Sequence, residues 1–364
     1  MIGQTQTERL VLQIHPKDNV AVAVKPLKKG TVLPGGVVLL EDLPQAHKAA
    51  MQTIAAGAPV IRYGVVLGHA VREIPQGSWV REDMLHVADC PSLEGLTWGT
   101  HLIPAEELPE PPVRTWMGYR NASGPAGTRN YLGIVTTVQC AAGVVRSVTE
   151  RIRRELLPKY PNVEGVVAIT HAYGCGVAIR AREAGIPIRA IRNIIQHPNF
   201  GGEAIVVGLG CEKLTYDMVL PPEKINAETC ITLQEQPGHA AMEQAILDLA
   251  EKKLRILNER RREELPLSEL CIGMQCGGSD AFSGISANPS AGYAADMLVR
   301  GGATVLFSEI TEVRDGVQLL AARCRDEETC RKLAREMDWY DRYLAEGGVD
   351  RDANPTPGNK KGGL

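Results

Sequence analysis

The chain has 364 residues, 44% hydrophobic and 23% charged, a balance that excludes a disordered or fibrous protein. Its formal charge of −3 argues against a general binder of nucleic acid or membrane surfaces, and no apolar run approaches the roughly 20 residues of a membrane span. The opening residues lack the basic-then-apolar layout of a signal peptide, so the expected compartment is the cytoplasm.

Residues 1–90 carry an internal repeat. Ala23-x3-Leu27-x2-Gly30-x2-Leu33 recurs from Ala50 through Ile54 and Gly57 to Val60, and again from Ala70 through Ile74 and Gly77 to Val80. Each unit reads as a short strand, a glycine turn and a second strand, and three such units must pack together to bury their apolar faces. A short helical pattern falls around 43–50. His47, Arg62, Tyr63, Gly64, His69 and His86 lie in this module, either idle or touching a ligand. A proline-rich connector over 91–117 leads to a second domain over 118–364.

In that second domain strands are expected over 131–138, 163–170, 204–209, 270–274 and 303–307. Helices are expected over 141–157, near 178–184, and over 238–264, 291–300 and 327–344. Strands apolar on both faces and alternating with helices specify a covered, mainly parallel sheet. The fold class is therefore α/β, with a small β-rich N-terminal domain before a mainly parallel α/β domain.

Nine cysteines in a reducing compartment are not a disulfide framework. Cys90, Cys230, Cys271, Cys324 and Cys330 read as small buried hydrophobes. The other four each follow a strand: Cys140, Cys175, Cys211 and Cys276, with Glu309 after the fifth strand. Ligands bind beyond the carboxyl ends of parallel strands, so this placement points to a site. Thiolates suit soft metals and iron–sulfur clusters, so the expected centre is iron, as one ion or a cluster, unless some of these cysteines are merely buried beside it. Gly-rich loops around them can present amides to an anion. Arg120, Asn121, Arg129 and Asn130 either clamp a carboxylate or pin a turn. Gly208-x-Gly210 falls short of a dinucleotide fingerprint, because Lys213 takes the third glycine position.

The segments GYRNASGPAGTRNYLGIVTTVQC (118–140), HAYGCGVAI (171–179), HPNFGGEAIVVGLGCEKL (197–214), GMQCGGSDAFSGISANPSAGYAADMLVRGGATVLFSEITEV (273–313) and NPTPGNKKGGL (354–364) resemble the galactarate/altronate dehydratase family. The first 90 residues resemble its opening SAF domain. The resemblance implies a hydro-lyase acting on a sugar diacid, with wording nearer the galactarate type, whose product is 5-dehydro-4-deoxy-glucarate. It also implies ferrous iron and reducing conditions. On this reading thiolates among Cys140, Cys175, Cys211 and Cys276 hold Fe2+. His171 is the base, with Asp280 and Glu309 as further catalytic groups, and Arg120, Arg129, Asn130, Ser279 and Asn288 bind the diacid. Members of the family continue past the GNKKGGL motif, so a truncated or split protein is expected. Its partners would be the small sugar diacid and either further copies of itself or a separate C-terminal polypeptide. The alternatives are altronate dehydratase, a related sulfo-lyase, or an inactive fragment serving as a binding subunit.

Overall fold

The computed structural model describes residues 9–87, 89–122, 124–278, 280–351 and 355–363; Ser279 lies outside them. The chain divides into two compact units, one of Met1–Pro111, Ile272–Arg300 and Val305–Leu364, the other of Pro112–Cys271 and Gly301–Thr304.

The first unit opens with seven short strands: β1 (Val11–Leu12), β2 (Val20–Ala23), β3 (Lys48–Ala50), β4 (Pro59–Arg62), β5 (Val65–Ala70), β6 (Trp79–Val80) and β7 (Leu85–His86). They form two antiparallel sheets, ordered β1-β2-β3-β6 and β4-β5-β7. The repeat is visible in three dimensions. Its alanines and its aliphatic residues at Leu27, Leu33, Ile54, Val60, Ile74 and Val80 are all buried. Its glycines Gly30, Gly57 and Gly77 have φ of 83°, 78° and 85°. A bridge joins Ile54 of the second unit to Ile74 of the third, and another joins Leu27 of the first to Leu43 in the segment that follows it. The helical expectation over 43–50 is overturned, because Lys48–Ala50 pairs with strands on both sides. Those ladder bonds outweigh a helix too short to repay its own nucleation.

The second unit holds β8 (Thr115–Gly118), β9 (Tyr131–Thr136), α1 (Ala142–Arg151), β10 (Gly165–Ile169), α2 (Gly185–Ile195), β11 (Ile205–Gly208), α3 (Tyr216–Val219), β12 (Cys230–Thr232), α4 (His239–Asn258) and β13 (Glu263–Pro266). Strands β9–β12 make a parallel sheet ordered β10-β9-β11-β12. Alternate residues face opposite layers. Leu132, Ile134, Ile205 and Val207 pack with Val145 and Val148 of α1 and Ile246 and Leu254 of α4. Val135 and Val206 pack with Ile191 and Ile195 of α2 and Val219 of α3. The sheet is thus covered on both faces.

Two helical expectations fail here. Only the end of the stretch near 178–184 is helical, a 3-10 turn at Arg182–Ala184 that leads into α2, whose Pro187 sits in the first turn where no amide donor is needed. The helix expected to reach residue 264 stops at Asn258. Beyond it β13 pairs antiparallel with β8, burying Leu265, and Arg262 turns back to Glu164 at 2.6 Å.

After β13 come β14 (Cys271–Met274), α5 (Ala287–Arg300), β15 (Thr304–Phe307), α6 (Ile310–Val313), α7 (Val317–Ala322), α8 (Glu327–Glu346) and α9 (Pro357–Lys361). β14 and β15 form their own two-stranded sheet. Of the five cysteines read as buried, Cys324 and Cys330 are core residues, Cys90 and Cys230 are half-buried, and Cys271 is exposed on β14. No helix among the described residues is long and apolar enough to cross a membrane.

Candidate active site

In the order β10-β9-β11-β12 the chain winds first one way from β9 and then the other, so the sheet reverses direction between β9 and β11. Parallel sheets open a crevice at such a point, beyond the carboxyl ends of the strands. Cys140, His171, Cys175 and Cys211 all lie in loops at that end, and the three thiols are exposed. A carboxylate that the sequence does not single out ties the crevice shut. Glu212 Oε1 accepts from Thr137 Oγ1 at 2.6 Å and from the Leu209 amide at 2.9 Å, and Oε2 accepts from the Gly210 amide at 2.6 Å. Burial alone would raise its pKa, but the Thr137 hydroxyl and these amides overcome that and bring it below the ordinary carboxylate value.

His171 is fully engaged. Its Nε2–H donates to the Thr136 carbonyl at 3.1 Å, which leaves Nδ1 as the acceptor for the Tyr173 amide at 3.2 Å. Burial lowers its pKa, more than the backbone contacts to Thr136 and Thr137 raise it. The ring is neutral and has no lone pair to spare for a substrate proton. Its role here is to fold the 170–176 loop, whose Tyr173 carbonyl also accepts from the Gln139 amide at 2.8 Å.

Arg120, Arg129 and Asn130 lie at the opposite end of this sheet, before β9. Arg120 pairs with Glu263 and with Glu269 at 3.1 Å, and Arg129 pairs with Glu164 at 3.0 Å. Asn130 is fully buried, donating to the Asn162 and Leu257 carbonyls and accepting from Arg260 at 2.8 Å. These three bind the chain to itself and pin the turn.

Asp280, Glu309, Cys276 and Asn288 belong to the first unit. Glu309 follows β15 in the left-handed region, with φ of 68°, and its Oε2 accepts from the Cys276 amide at 3.1 Å. A non-glycine residue held there stores strain of order 1–3 kcal/mol, a hallmark of sites. Asp280 Oδ1 caps the amides of Phe282 and Ser283 at 2.8 and 3.0 Å. The Asn288 amide donates to Ser283 at 2.8 Å in the first turn of α5. The loop led by Asp280 rests on the N-terminal strands. Arg62 Nη2 and Tyr63 Oη donate to the Ala281 carbonyl at 2.9 and 3.0 Å. Nearby, Lys48 Nζ donates to the Gly363 carbonyl at 2.7 Å, and His47 Nε2–H donates to the Lys361 carbonyl at 2.9 Å. Burial first, and the facing Arg62 second, lower the Lys48 pKa to about 8. Sequence reasoning passed over Lys48, which falls in the stretch around 43–50 that reads as helical.

Among the described residues, no three His, Cys, Asp or Glu side chains come together in a way that could hold a metal ion. Within their own unit Cys140, Cys175 and Cys211 are not gathered into such a group, so these thiols do not fit an iron centre; Cys276 belongs to the other unit. No chemical step below runs through iron.

Three family models match in succession: the altronate/galactarate dehydratase SAF domain over residues 9–88, the D-galactarate dehydratase/altronate hydrolase second domain over 118–258, and the D-galactarate/altronate dehydratase C-terminal domain over 267–364. Galactarate dehydratase (L-threo-forming) of Escherichia coli K12 is 51% identical over 373 residues, covering all of this chain and 71% of that protein. The chain belongs to the galactarate/altronate dehydratase family. Altronate dehydratase of the same organism is 33% identical, over 97% of this chain and 70% of its own length. The beta subunit of (2R)-sulfolactate sulfo-lyase of Chromohalobacter salexigens is more distant, at 28% over 69% of this chain and 61% of its own length. The fold matches the family's organisation, with an SAF module first and a parallel α/β sheet after it.

Proposed function

We propose that this hydro-lyase removes water from galactarate to give 5-dehydro-4-deoxy-D-glucarate. The observation that carries the reading is the identity of 51% to a galactarate dehydratase across the whole chain, against 33% to an altronate dehydratase. The reaction breaks a C–H bond beside a carboxylate and a C–O bond one carbon further on. A positioned base must take the proton, and the leaving hydroxyl must receive one.

Glu309 is our base. Its Oε2 is steadied by the Cys276 amide and its backbone is held in strain, so the carboxylate is aimed rather than free. The proton moves to Glu309, the C–H electron pair forms the C=C bond, and the C–O bond opens. The same proton returns to the departing oxygen as water, and the enol left behind becomes the ketone. Asp280, anchored through Oδ1, accepts a sugar hydroxyl at Oδ2, and Asn288 supplies an amide beside it. On the family resemblance, and not on the geometry, we also propose a requirement for ferrous iron; metal content and turnover before and after chelation test it separately.

The experiment is an anaerobic dehydration assay with galactarate, glucarate, altronate and sulfolactate in parallel. Turnover of galactarate above the others, lost by about 100-fold or more in Glu309→Gln, is the expected result, the size expected for a general base. Turnover of altronate or sulfolactate in its place overturns the substrate, and a fully active Glu309→Gln overturns the base.

A further inference from the structure

A buried arginine and a half-buried lysine face each other in the N-terminal module, and among the described residues no anion meets them. Arg62 is 8% exposed. Its Nη2 is spent on Tyr63 Oη and the Ala281 carbonyl, and its guanidinium carbon lies 4.2 Å from the centre of the Tyr63 ring. Its Nε is a buried donor with no hydrogen-bond partner. Lys48 gives one hydrogen bond, to the Gly363 carbonyl. Among the described residues no carboxylate is paired with either side chain. Burying an unpartnered charge is costly, and an unpartnered buried donor costs about 1–3 kcal/mol more, so a fold that keeps both has a use for them.

Their surroundings say what that use is. Tyr63 is held at φ of 58°, and the next amide, that of Gly64, is fixed at 2.8 Å by the buried carboxylate of Asp18, so Arg62 and Tyr63 are set in place. The carbonyl they grip belongs to Ala281, next to Asp280. A side chain added at Gly362 would stand 3.8 Å from Asp280 Cβ, while Gly363 is the residue that Lys48 holds. His47 is no competitor, since Nδ1 accepts from Trp79 Nε1 at 3.2 Å and Nε2–H is spent on Lys361.

We propose that Lys48 and Arg62 form a carboxylate-binding site in the N-terminal module, which takes one end of the sugar diacid while Asp280 and Glu309 work at the other carbons. The inference rests on the dehydratase reading above. An ammonium and a guanidinium N–H donor together match the two oxygens of a carboxylate. The depressed Lys48 pKa is the mark of a cation waiting for that charge. The site distinguishes a diacid from a monoacid, which no other residue described here does.

The test uses the full chain with Lys48→Met and Lys48→Arg, assayed on galactarate and on the monoacid in which one carboxylate is replaced by a hydroxymethyl group. Binding of galactarate is measured in parallel by calorimetry. Lys48→Met is expected to raise KM for galactarate about 10- to 100-fold, with a smaller fall in kcat. The preference for diacid over monoacid should fall by a similar factor, and Lys48→Arg should restore most of it. Equal losses on diacid and monoacid, or an unchanged preference, overturn the proposal. Galactarate turned over equally by Lys48→Met and wild type refutes the site and leaves the dehydratase reading intact. Galactarate bound but not turned over, with binding weakened in Lys48→Met, upholds the site and refutes the dehydratase reading. A wild-type chain that neither binds nor converts galactarate refutes both.

Discussion

Glu212→Gln is the most direct test of how the crevice is held. The carboxylate accepts three hydrogen bonds, from the Thr137 hydroxyl and from two successive amides. A glutamine can keep the two on Oε1, but it sets an NH2 against the Gly210 amide, and two donors then face each other. The Gly210 amide is exposed and turns to water, while two charge-assisted bonds become neutral ones at roughly half their strength. The expected loss is about 1–2 kcal/mol, read as the shift in urea midpoint at constant slope. The same variant has a pH signature. Because the folded pKa of Glu212 lies below its unfolded value, its contribution is complete above the unfolded pKa and is lost as pH falls through the folded one. Glu212→Gln should therefore narrow its gap from wild type as pH drops from about 5 toward 3. A loss under 0.5 kcal/mol with an unchanged acid limb would refute this account of the crevice.

Other consequences follow from the same hydrogen-bond accounting. His171→Gln should leave the pH profile of kcat unshifted near pH 6.5, since the ring is neutral and engaged; a lost or moved acid limb would restore it as the base. The depressed His171 pKa also means that its stabilising contribution, present above the unfolded pKa of about 6.5, is lost as pH falls through the folded one, which an NMR titration of the ring would show. Asp18→Asn should cost about 1–3 kcal/mol in chemical denaturation, because Asp18 accepts from the amides of Ile14, His15 and Gly64, and an amide nitrogen can serve none of them. Gly57→Ala and Gly77→Ala share a left-handed φ but should differ in melting temperature. At Gly57 the space is open and the cost is about 1–2 kcal/mol of backbone strain, whereas a Cβ at Gly77 would sit 2.0 Å from the Val38 carbonyl, so the turn must break. Equal losses at the two sites would show that φ alone decides.

The repeat and the five strand ends were legible because each is a local signal, whereas the grouping of 272–300 and 305–364 with residues 1–111 was not. Continuous apolar runs placed β9 and β11, and glycines at fixed offsets placed the three turns of the N-terminal module. What failed were patterns decided by distant partners. Lys48–Ala50 has no local reason to be a strand, and becomes one only because β2 and β6 flank it. The charged run after Asn258 continues a helical pattern, yet β8 recruits Glu263–Pro266 from it. The arginines before β9 have the right chemistry for a substrate carboxylate and are consumed by Glu164, Glu263 and Glu269, residues from later in the chain. Spacing identifies which residues can bind an anion; only the fold shows which of them still have capacity left.

That difference separates the two constellations. At the crevice of the parallel sheet, Thr137, His171 and Glu212 satisfy one another and the backbone, and among the described residues a single buried hydroxyl, that of Thr136, has no partner. In the first unit the accounts do not close: Arg62 keeps a buried donor without a partner, Lys48 is a cation without a carboxylate, and Glu309 is held in a strained backbone. A fold reaches low energy by spending every buried polar group, and an enzyme must leave some unspent for its substrate. The proposal places the reacting diacid beside Asp280 and Glu309 because the unspent charge lies in the first unit, against one unspent hydroxyl at the crevice. Replacing Lys48 and Arg62 together by apolar residues of similar length should then raise thermal stability while abolishing the preference for a diacid, a trade that a purely structural pair would not make.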